Sequence, residues 1–124
     1  MVDVIETDEN GLNARIQFHL LPAGKMAEFG FRDCGDQWYL MRFVGPKYQD
    51  RYDVSFNVSI PKDGSRGRID VLDENFCQPY DYNLVLSRTP DNRYARTVRD
   101  DVERETAVLA DAGIISGHEY GEYI

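Results

Sequence analysis

The sequence predicts an α+β fold, an antiparallel sheet of about five strands packed by one long C-terminal helix, on three observations. Between residues 13 and 72, short segments alternate apolar and polar residues, the period of a half-buried strand. The segments between them are too short for the crossover that parallel neighbours need. From Arg93 to Ala112 the apolar residues return at helical spacing.

Residues 1–12 are acidic and weakly patterned and are expected to fray. Asn13–Leu20 alternates Ile16, Phe18 and Leu20 against Arg15, Gln17 and His19, which predicts the first strand. Leu21–Gly24 reads as a turn, and Lys25–Arg32 as a second strand with Phe29 and Phe31 on one face. The sequence Asp33-Cys34-Gly35-Asp36 has hairpin-turn chemistry. Gln37–Val44 is apolar on both faces: Trp38, Leu40 and Val44 oppose Tyr39, Met41 and Phe43. That pattern predicts a central strand covered on both sides and ended by Gly45-Pro46. Arg51–Ile60 alternates Tyr52, Val54, Phe56, Val58 and Ile60 with polar residues, so one face is buried and the other wet. Pro61–Gly64 closes it, and Arg68–Leu72 is the fifth strand.

Asn75–Thr89 is ambiguous: Pro79 limits any helix before it, and Tyr80–Leu86 fits a strand or a helical turn. Pro90-Asp91-Asn92 opens the long helix, whose stripe is Tyr94, Ala95, Val98, Val102, Thr106 and Leu109. Gly113 and Ile114 suit a Schellman ending. The remaining tail, 114–124, holds His118, Tyr120, Tyr123 and Ile124 and is too aromatic for a free end, so it is expected to dock. One helix covers one face of a sheet, so Tyr39, Met41 and Phe43 need a cover. The segment 80–86, the tail, a second copy of the chain or a foreign partner is available for it.

The 124 residues fit one domain, and 42% hydrophobic content is globular. The net charge is −8, divided as −4 over residues 1–90 and −4 over 91–124. With no basic cluster, direct nucleic-acid binding and anionic membrane are disfavoured, and a basic protein is the more natural partner. The opening MVDVIETDENG lacks a basic n-region and an apolar h-region, and no apolar run is long enough to span a bilayer. The expectation is therefore a cytoplasmic protein in which Cys34 and Cys77 are free thiols. In that setting the Asn57-Val58-Ser59 glycosylation pattern has no meaning.

No motif amounts to a catalytic signature. Asp70, Asp73 and Glu74 form an acidic cluster, but Asp70 and Asp73 point to opposite faces of a strand, against a cation site. Cys34 lies between Asp33 and Asp36, which raise rather than lower a thiol pKa. Cys77, His118 and Glu119 would form a Cys–His or His–carboxylate pair if the tail folds back onto residue 77. The two histidines and two cysteines lack zinc spacing, so no metal or other cofactor is expected. His19 falls on the polar side of its strand. The loop Lys62–Arg68 (KDGSRGR) is the one basic patch and reads as solvated turn chemistry.

The stretches IDVLDENFCQPYDYN (69–83) and LADAGIISGHEYGEYI (109–124) resemble a family of small bacterial proteins of unknown function associated with phages and integrative elements. The resemblance implies a mobile-element accessory protein and carries no catalytic residue. Together with the charge, it leads to an expected non-catalytic acidic binding protein, an antagonist of a host nucleic-acid-handling protein of the anti-restriction or anti-CRISPR kind. Its contact residues would be Asp100, Asp101, Glu103 and Glu105 on the helix, with Asp70, Asp73 and Glu74. The alternatives are a small enzyme or ligand-binding domain built on Cys77, His118 and Glu119, and a homodimer that buries Tyr39, Met41 and Phe43.

Overall fold

The computed structural model describes residues 16–118. The elements are β1 (Gln17–Phe18), α1 (Ala23–Phe29), β2 (Arg32–Asp33), β3 (Gln37–Tyr48), β4 (Arg51–Pro61) and β5 (Arg68–Asp73). They continue with β6 (Gln78–Pro79), α2 (Tyr82–Arg88), α3 (Arg93–Asp111) and β7 (Ile115–Ser116). Strands β2 to β6 form one antiparallel sheet in chain order, and β1 pairs with β7 in a separate ribbon. The α+β class, the five-stranded antiparallel sheet and the long C-terminal helix agree with the sequence reading.

Several expectations are corrected. The first strand shrinks to Gln17–Phe18 and joins the ribbon, not the main sheet. The expected strand 25–32 is instead α1, preceded by Pro22 at its N-cap, which removes the turn expected over 21–24. Ala, Lys, Met and Glu are strong helix formers, and the fully buried Met26 anchors the helix, so local propensity outweighs the weak alternation. Gly45-Pro46 does not end β3; the register shifts between Val44 and Lys47, and the strand runs on to Tyr48. Gly45 takes φ +85°, and proline is tolerated where a bulge leaves its nitrogen unpaired. Past the bulge, Tyr52 stacks on Phe43 at 5.4 Å between ring centroids instead of joining the core.

The core lies on one face of the sheet. Val54, Phe56, Val58 and Ile60 of β4 are flanked by Trp38, Leu40 and Val44 and by Ile69 and Val71, all buried. Helix α3 lays Ala95, Val98, Val102, Thr106 and Leu109 onto them. Burying each large aliphatic side chain contributes about 1.5–3 kcal/mol. Asn92 caps the helix start, its side chain accepting from the Ala95 amide at 3.0 Å. At the other end Ile114 N–H donates to Leu109 and Gly113 N–H to Ala110, both at 3.0 Å, which is the Schellman pattern.

The ambiguous stretch resolves into β6 and α2. Asp81 caps α2 at the Leu84 amide (2.8 Å), and Tyr82 and Leu86 enter the core beside α3. The tail docks through Ile114 and Ile115, buried, with β7 on β1. The expected fraying of 1–12 falls outside the described residues, as does Glu119 with the end of the tail.

Candidate interaction face

Strand alternation sends every second residue of β3, β4 and β5 away from the core. The register sets Tyr39 opposite Ser59 and Arg68, Met41 opposite Asn57 and Asp70, and Phe43 opposite Ser55 and Leu72. The buried residues of α1, α2 and α3 all belong to the core of Leu40, Phe56 and Ile69, so none of these helices covers this second face. Met41 is 39% exposed and Phe43 48%. Between them and β5, the short side chains of the central strand lie low: Ser55 is fully buried and Asn57 is 7% exposed. The result is a shallow trough with a polar floor, one wall of Tyr39, Met41 and Phe43, and another of Asp70 and Leu72, with Glu74 beyond.

A hydrogen-bond chain runs along this floor. Tyr39 Oη donates to Asn57 Oδ1, Asn57 Nδ2 donates to Ser55 Oγ at 2.9 Å, and Ser55 Oγ donates to Glu74 Oε2. Asn57 Nδ2 also reaches the Asp70 carbonyl at 3.4 Å. A carboxylate only accepts, so Glu74 takes the serine proton. Ser55 Oγ must then accept from the amide nitrogen, which turns Asn57 Oδ1 toward Tyr39 and makes the tyrosine a donor. Burial, with the charges of Glu74, Cys34 and Asp70, pushes the Tyr39 hydroxyl above its ordinary pKa and keeps that proton in place. Arg68 Nη2 pairs with Asp70 Oδ1 at 2.9 Å.

The other expected contact residues are scattered. Asp101 is structural: its Oδ2 accepts from the Gly45 amide at 2.9 Å and its Oδ1 from Arg104 at 2.8 Å. Asp100 is exposed and lies 3.8 Å from Arg99, while Glu103 and Glu105 are half-buried. Helix α3 is on the core side, so its acids and the pair Asp70 and Glu74 belong to opposite sides of the sheet. Asp73, at the end of β5, lies near Tyr94 and Tyr80. The acids therefore do not form one surface.

Cys77 and His118 do not meet. Cys77 is exposed in the turn after Asp73, at one end of β5. His118 follows β7, whose partner β1 sets Phe18 against Gly67 at the other end: a Cβ on Gly67 would meet Phe18 Cδ2 at 2.8 Å. Cys34 belongs to that second end too, its amide donating to Gln37. His19 is exposed as expected and bonds Ser116 Oγ at 2.8 Å.

The serine and asparagine of the trough floor were legible only as the wet face of β4; their value emerges from register, which sets them between the large residues of β3 and β5. Two further clusters are tertiary. Lys62 Nζ bonds Asp33 at 2.7 Å and lies 4.9 Å from the Trp38 ring centre. Tyr94 stacks with Tyr48 and meets Tyr80 edge-on.

Fold and site define an α+β domain whose five-stranded sheet is packed by helices on one face and carries a polar-floored trough on the other. No family model matches the sequence, and no curated protein does. Among solved structures, the chain is similar to a DUF1831 family protein from Lactobacillus plantarum, with a TM-score of 0.63 and 9% sequence identity. The match covers 82% of this chain and 84% of that one, and at this identity it shows a shared fold.

Proposed function

We propose that this protein is a non-catalytic protein-binding domain that engages its partner through the second face of the sheet. The observation that carries the reading is Phe43, 48% exposed beside Met41 and next to polar groups already bonded to one another. Covering apolar side chains is favourable, and polar groups with partners in place lose little when water leaves. The trough spans about 300 Å² if each of three strands contributes three alternate residues, a little over a third of the roughly 800 Å² that one side of a stable interface uses. That size favours a transient partner over an obligate homodimer.

The narrower reading, a mobile-element antagonist that offers acids to a basic groove, rests on net charge, small size, the lack of a catalytic constellation and the family resemblance. Residues 16–118 hold 16 acids and 13 bases, so five of the eight net negative charges fall in 1–15 and 119–124. With the remaining acids on both sides of the sheet, the apolar row is the stronger basis for docking. The reading of a small enzyme loses the Cys77–His118 pair on which it was built.

Capture experiments with three forms of the protein test this. A partner retained by the wild type and by Asp100→Lys/Glu103→Lys, but lost by Phe43→Asp, supports docking on the sheet. A partner lost by the helix variant and kept by Phe43→Asp overturns it.

A further inference from the structure

We propose that the trough receives an arginine side chain of the partner, stacked on Phe43 and paired with Glu74; this rests on the protein-binding reading above. The direction of the hydrogen-bond chain is the first argument. The donor protons on the floor are all committed: tyrosine to asparagine, asparagine to serine and to the Asp70 carbonyl, serine to the Glu74 carboxylate. What remains for an incoming group is acceptor capacity, at the Tyr39 oxygen and at Glu74 Oε1. A ligand seated here must therefore bring donors and no acceptor, which describes a guanidinium or an ammonium.

Charge is the second argument. Of the carboxylates on the trough side, Asp70 has Arg68 at 2.9 Å. Glu74 holds the Ser55 hydroxyl instead, and among the described residues no ion pair to it is formed. Local complementarity calls for a cation at that carboxylate.

Shape separates arginine from lysine. Phe43 and Glu74 both adjoin Ser55, one through cross-strand pairing and the other through its hydrogen bond. A planar guanidinium can lie on the exposed aromatic face while an edge donates two parallel N–H groups to the carboxylate; an ammonium does one or the other.

The test is a titration of the ¹⁵N-labelled protein with Nα-acetyl-arginine amide, with Nα-acetyl-lysine amide as comparison. The expected result is saturable shifts centred on Phe43, Ser55, Asn57 and Glu74, with millimolar affinity and a weaker response to lysine. Glu74→Gln keeps an acceptor for Ser55 and removes only the charge; it should weaken arginine binding about tenfold. Asp100→Asn, which removes the same charge from the helix, should leave binding unchanged, and each free variant's spectrum reports its fold. Equal responses to both probes, shifts centred on α3, or no saturable shift would overturn the inference. If Phe43→Asp abolishes partner capture while the probe moves none of these amides, the docking face stands and the arginine assignment alone fails.

Discussion

The Gly45 amide donates to the Asp101 carboxylate at 2.9 Å and ties the bulge of β3 to the middle of α3. A Cβ on Gly45 would lie 2.7 Å from Val98 Cγ2, and the residue has φ +85°. Gly45→Ala therefore adds left-handed strain to overpacking and should cost about 2–4 kcal/mol in urea unfolding. Asp101→Ala should cost about 1–3 kcal/mol by leaving that amide short of its acceptor. Its exposed neighbour gives the contrast, with Asp100→Ala expected within about 0.5 kcal/mol of the wild type.

The β3–β4 hairpin closes through Gln49 and Asp50, at φ 49° and 66° between the paired residues Tyr48 and Arg51. Two positive φ angles in a two-residue loop favour Asn-Gly. The double change Gln49→Asn/Asp50→Gly should raise stability by about 0.5–1 kcal/mol, read as a higher urea midpoint at constant m.

How much of this was legible follows from where each signal resides. The stripe of α3, the Asn92 cap and the Gly113 ending are local patterns, and the sequence carries them almost residue by residue. The two-faced apolar pattern of β3 likewise set Tyr39, Met41 and Phe43 apart from Trp38, Leu40 and Val44, but the expected cover on the second face is not supplied: Met41 and Phe43 stay exposed. Residues 25–29 misled because a seven-residue helix shows too few turns for its period to stand out against two phenylalanines. The bulge was hidden because Gly-Pro is the usual mark of a strand end. The trough floor depends on cross-strand register, which no single strand encodes. The separation of Cys77 from His118 depends on which end of the sheet receives the β1–β7 ribbon.

Burial, reinforced by Asp53, Tyr80, Asp73 and Tyr48, pushes the Tyr94 hydroxyl up to about 12 from 10.0. The folded protein thus holds this proton more tightly than the unfolded chain. The stability it contributes is fully present below pH 10 and is lost as the pH rises through about 12. Tyr94→Phe should remove the highest-pH step of tyrosinate absorbance and flatten the loss of stability in that window.

Cys34 and Cys77 are both exposed and lie at opposite ends of the sheet. Both should react with Ellman's reagent without denaturant, and mild oxidation should yield intermolecular disulfides only. Cys77 also has φ 53°, so Cys77→Gly should be neutral or stabilising by up to about 1 kcal/mol in thermal unfolding.

On the proposed reading, the partner docks on the sheet face of Phe43. Photo-crosslinking in source cells tests it most directly, with p-benzoylphenylalanine replacing Phe43 in one form of the protein and Asp100 in another. The expected result is a discrete adduct from position 43, identified by mass spectrometry, and none from position 100. An adduct from position 100 with none from position 43 would contradict it and return the interaction to the acidic helix.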